Sequence, residues 1–101
     1  MRYLGGLRGD GILTCAGETI ARAAYDFDGF LSKPGQVTSN GEIRMSPEAL
    51  KAVFGRKNVQ LLTDDGRTLN LQFSEKRLRS ASDAAHVDVA GDLPVASGWR
   101  H

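Results

Sequence analysis

The residues in this chain that could do chemistry are few, and the most concentrated of them are cations. Arg56-Lys57 come first, then Arg67, then Lys76-Arg77 with Arg79 two positions on. On the loops of a small barrel, cations spaced this way can neutralise phosphates. These six are therefore the candidate nucleic-acid or partner surface. The competing account is a solvated charged face, with Arg56 and Lys57 complementing the negative end of a preceding helix. Base stacking would also need exposed rings. Tyr25, Phe27, Phe54 and Phe73 fit core positions, which leaves Tyr3, Phe30 and Trp99 as candidate platforms.

Groups for catalysis or metal binding do not converge in the sequence. The single cysteine, Cys15, is far from His86 and His101, and no CxxC, HxxxH or HExxH spacing occurs. A small cysteine in a short strand reads as a buried filler, and His86 as an outward strand residue. A serine or Cys15 could meet His86 and a carboxylate only through tertiary folding. Asp26 and Asp28 share one strand face, whereas Asp64 and Asp65 belong to a turn, where aspartate bonds its own backbone. The glycine-rich start, Gly5 to Gly11, has neither the Lys-Ser/Thr of a phosphate loop nor the third glycine of a dinucleotide fingerprint. PilZ domains, small barrels that bind cyclic dinucleotides, carry two arginines four apart and then Asp/Asn-x-Ser-x-x-Gly. No two arginines here have that spacing, and Thr38-Ser39-Asn40-Gly41 does not supply the second motif, so the activity is not carried over. The expectation is no enzyme, no cofactor and no metal.

Composition sets the frame for these residues. The chain has 101 residues, enough for one small domain with a modest core. Thirteen basic and twelve acidic residues leave a formal charge of +1, so no whole-molecule field drives it toward nucleic acid or anionic membrane. A lone cysteine favours a reducing compartment. No stretch reaches the roughly 20 apolar residues of a membrane span. The expected location is the cytoplasm, without membrane association.

The elements that must position these residues are short strands. Val59–Leu62 and Thr68–Phe73 alternate around Asp64-Asp65-Gly66, a strong hairpin signal. Ile12–Cys15 and Thr19–Phe27 predict a second hairpin through Ala16-Gly17-Glu18. Residues 28–40, punctuated by Asp28-Gly29 and Lys33-Pro34-Gly35, are expected to be a loop, with Asn40-Gly41 as a turn before a strand at 42–45. Ser46 as N-cap, Pro47 at the first position, Glu48 beside the dipole and Gly55 as stop predict a helix over about 47–54. Ala85, Val87 and Val89 share one face of a last strand.

The sum predicts a mainly β fold: a small antiparallel, partly open barrel or curved sheet of five to six strands with one short helix. Residues 1–10 are expected as a flexible N-terminal lead, 11–90 as the single barrel-like domain, and 91–101 as a frayed tail. The functional expectation is a non-catalytic module that binds a protein partner or a second copy of itself. In it Trp99 serves as an anchor, and the last strand pairs with a partner if it lies at an edge. The alternative is a nucleic-acid-binding barrel using the six cations.

Overall fold

Alternating apolar and polar side chains suit strands buried on one face, and a barrel is the way such strands bury that face without leaving long edges. The computed structural model describes residues 1–33, 35–79 and 81–99. The expected turn residue Pro34 and the candidate ligand His101 lie outside them. Six antiparallel strands and a short helix follow in order: β1 (Arg2–Cys15), β2 (Glu18–Lys33), β3 (Gln36–Arg44), α1 (Pro47–Val53), β4 (Val59–Thr63), β5 (Thr68–Phe73) and β6 (Ala84–Gly91). They close in the order β1-β2-β3-β6-β5-β4, with β4 returning to β1.

Closure is unequal along the barrel axis. β4 pairs only with Gly11–Cys15 of β1, and β6 only with Ser39–Arg44 of β3. Beyond those points β1, β2 and the start of β3 continue as a three-stranded wall. The expected small barrel is thus what forms, sealed at one end and splayed at the other. Its interior is filled by Leu13, Phe27, Ile43, Leu61, Leu69 and Val87, all fully buried.

At the sealed end α1 forms as the sequence predicts. The Ser46 hydroxyl accepts the Ala49 N–H at 3.3 Å, Pro47 opens the helix, and the Phe54 N–H bonds the Leu50 carbonyl. Gly55 then takes the left-handed conformation, φ +76°, that ends it. Seven residues are too few for a helix to stand alone, so its stability comes from burying Leu50 and Val53 completely in the barrel mouth.

Three expectations are corrected. Residues 2–10 are strand, because their glycines leave room for bulky partners. A Cβ on Gly9 would sit 2.8 Å from the Tyr25 hydroxyl. Residues 28–40 are largely strand, because Phe30 and Leu31 pair with Tyr3 and Arg2 on one side and with Thr38 and Val37 on the other. Asn40-Gly41 lies within β3 and makes no turn. A Cβ on Gly41 would collide with the Asp26 carbonyl and crowd the Phe27 ring, so glycine is what lets the two strands approach.

The third correction is the tail. Gly91, φ +101°, turns the chain out of β6, and the Asp92 carboxylate accepts the Thr68 N–H at 3.2 Å. The chain then folds back through a 3-10 turn at Ala96–Gly98 and buries Trp99 to 7% exposure. Its indole N–H donates to the Pro94 carbonyl at 3.1 Å. The ring lies against Gly29, where a Cβ would fall 2.5 Å from it. Gly5, Gly29, Ser39 and Val89 are successive partners across the sheet, and the indole packs on Gly29 within that row.

Candidate functional site

The divergence of β6 from β3 opens a concavity on the molecule's surface. β3 keeps β2 as a partner along its length, but on its other side pairing stops at Ser39 and Val89. After Val89 the chain pairs with β5, through Asn70↔Ala90 and Leu69↔Gly91, and then leaves as the tail. The result is a groove of about 790 Å³ between Gly35–Asn40 on one bank and Asp88–Gly91 with Leu93–Ala96 on the other. Successive residues of an antiparallel strand aim their N–H and C=O pairs to opposite sides. The Gln36–Thr38 stretch therefore presents backbone hydrogen-bonding groups toward the groove. Val95, 72% exposed, forms part of its rim.

The lining is neutral apart from Asp88. Thr38, Ser39, Asn40 and Gln36 supply hydroxyl and amide groups, and Val37, Val89, Leu93 and Pro94 the apolar surface. The Ser39 hydroxyl is already committed to the Asp28 carbonyl at 2.9 Å. Such a site can hold an extended segment by main-chain hydrogen bonds and small side-chain contacts. The sequence hid it because Pro-Gly and Asn-Gly signals bracket Val37-Thr38, whose β-branched pair was the one available strand cue.

The six candidate cations separate into two groups. Arg56 and Lys57 sit on the α1–β4 connection, and Lys76, Arg77 and Arg79 on the β5–β6 connection. Both connections are at the helix end, held together by Phe54 and Phe73, whose ring centroids are 5.1 Å apart. All five side chains are exposed. Arg67 is at the opposite end and half-buried. It donates to the Asp92 carbonyl at 3.0 Å and lies 3.7 Å from the Asp65 carboxylate, clamping the β4–β5 turn to the start of the tail.

Other candidates fall apart in space. The indole of Trp99, expected as an anchor for a partner, is covered by its own chain because a glycine seat is available for it. The last strand is no edge: β6 is paired by β3 and β5. Tyr3 is 47% exposed, stacks edge-on with Phe30 and donates to Asp28 at 3.0 Å, which raises its hydroxyl pKa through that bond. Cys15 is buried and faces the Lys57 carbonyl at 3.5 Å, while His86 is on the outer surface, so the two do not meet.

Two arrangements were not legible in the sequence. The Ser74 hydroxyl lies 2.6 Å from His86 Nδ1 and also bonds the His86 carbonyl at 3.1 Å. On an open face this pins the exit of β5 to β6. Arg8, Asp26, Glu42 and His86 form a register row across four strands, with Arg8 and Asp26 paired at 2.9 Å. Among the described residues no three His, Cys, Asp or Glu side chains converge as metal ligands, and no helix is long and apolar enough to cross a membrane. No protein-family profile, curated protein or solved structure gave a significant match to the chain.

Proposed function

We propose that this protein is a non-catalytic binding module whose groove between β3 and the tail accepts an extended segment of a protein partner. The observation that carries this reading is the premature end of β3–β6 pairing at Ser39 and Val89, which leaves Gln36–Thr38 beside an open groove. An added strand would gain main-chain hydrogen bonds there, with Val95 and Leu93 contributing apolar contact. The groove's lining suits binding better than paired acid–base work, since Asp88 is its one ionisable side chain. A cytoplasmic setting is favoured by the lone, buried Cys15.

The test is selection of extended peptides from a displayed random library on the wild-type protein, followed by amide chemical-shift mapping of the winners. The reading expects shifts at Gln36–Asn40 and Asp88–Ala96, and loss of binding in Val95→Asp. No selectable peptide, or shifts confined to other faces, would overturn it. A second copy of the chain is the other occupant within this reading. A rise in mass with concentration, abolished by Val95→Asp, would identify self-association through the same groove.

A further inference from the structure

We infer that the helix end of the barrel is a second, separate binding surface, for single-stranded nucleic acid. The inference rests on a difference in how cations are used. Arg8, Arg22, Arg44 and Arg67 each lie within 4.0 Å of a carboxylate. Among the described residues Arg2, Lys33, Lys51, Arg56, Lys57, Lys76, Arg77 and Arg79 form no salt bridge, and the last five are exposed together on the two connections at the helix end. The acids on these connections, Glu75 and Asp83, are engaged by the His86 N–H and by Arg44, so the five cations leave a positive excess that an external polyanion complements.

Two packing contacts anchor the connections that carry these charges. Leu78 packs against the core, which holds Arg77 and Arg79 outward on either side of it. The Phe54–Phe73 contact ties the α1–β4 connection to the end of β5. Between them lies a notch of about 390 Å³, lined by Gly55–Asn58 and Leu71–Phe73. Arg56 and Lys57 supply cations at its lip, Asn58 and Gln72 supply amides able to hydrogen-bond a base edge, and the half-buried Phe73 supplies a ring. Charges spread over two connections suit several phosphates in succession rather than one. A notch with amides and an aromatic ring suits a base that is free to leave its stack. A duplex is the poorer fit, because among the described residues no element projects to enter a groove: α1 has seven residues, and its apolar side is buried in the barrel mouth.

The experiment is fluorescence anisotropy of a labelled, mixed-sequence 12-nucleotide single strand, as DNA and as RNA, titrated with the full chain at 50 and 200 mM salt. The expected result is binding with a log–log salt slope no steeper than about −3.5, since each single-strand phosphate neutralised contributes about −0.7. The triple variant Lys76→Ala, Arg77→Ala, Arg79→Ala should flatten that slope by about 2. Gln72→Ala should weaken binding with the slope unchanged. Arg67→Gln, at the far end, should leave both affinity and slope as they were. Thermal unfolding of each variant separates lost binding from lost fold. No binding at 50 mM salt would overturn the inference, as would wild-type affinity in a folded triple variant. Tighter binding of a polyglutamate peptide, or of vesicles containing phosphatidylserine, would overturn it in favour of an acidic protein segment or a lipid surface respectively.

Discussion

The two ends of the barrel solve one problem, a core that must be covered, in opposite ways. At the helix end the cover is local: α1 is capped by Ser46 and followed by the left-handed Gly55, and it sits over the barrel through Leu50 and Val53. At the other end the cover is remote: Trp99 comes back across the sheet to a seat at Gly29. The first cover is apolar and continuous with the core cluster. The second sits beside polar groups, with Arg67 reaching the Asp92 carbonyl and an open groove between the tail and β3. A lid specified by neighbouring residues leaves its outer surface free for charge. A plug brought from far along the chain leaves a seam, and the seam is the groove.

The sharpest way to break this comparison is to excavate each cover. Leu50→Ala should cost about 3 kcal/mol in urea unfolding, because a fully buried leucine leaves a cavity the barrel mouth cannot collapse into. Trp99→Ala should cost about 2 kcal/mol, the burial of one large side chain, since the tail can release without opening the barrel. Gly29→Ala places a methyl in the seat and should expel the indole, shifting the emission of the single tryptophan to the red. Combined with Trp99→Ala it should add little, the non-additivity expected of one contact removed twice. If Trp99→Ala proved as costly as Leu50→Ala, the tail would be part of the core rather than a plug.

Smaller effects sharpen the same contrast. Ser46→Ala removes the cap of α1 and should lower stability by about 1 kcal/mol, with protection from hydrogen exchange lost first over Pro47–Val53. At the far end, Arg22 holds the β4–β5 turn through Asp64, with contacts of 2.7 and 3.3 Å. The hydrogen bond from Arg22 lowers the Asp64 pKa below its ordinary 3.8. The pair's stabilisation is therefore present above that value and is lost as pH falls through the lowered one. Arg22→Gln should show a small deficit at neutral pH that disappears in acid and shrinks with salt, as exposed pairs do.

Local features were legible and remote ones were not. The Asp-Gly hairpin and the Ser46-Pro47 helix start are written within a few residues, and both form at the expected places. The glycines of β1 carry two meanings, flexibility or room, and only the position of Tyr25 across the sheet selects the second. The burial of Trp99 is hidden for the same reason, because its seat at Gly29 lies far away in the sequence. The six cations are individually visible, but their division into five at one end and Arg67 at the other depends on which connections share an end of the barrel. Likewise, nothing in the alternation of Ala85, Val87 and Val89 says whether that strand has one neighbour or two.

That strand's position also sets the order in which the molecule can be made. β6 is inserted between β3 and β5, strands that precede it in the chain. Residues emerge from the ribosome at about 5–20 per second, so β3 and β5 both exist for a time with bare edges awaiting the same partner. The β1–β2 hairpin and the β4–β5 hairpin can form early from nearby residues. The ring cannot shut until residue 91 is out. Folding of this chain is accordingly a race between the arrival of one keystone strand and the capture of two open edges by neighbouring chains.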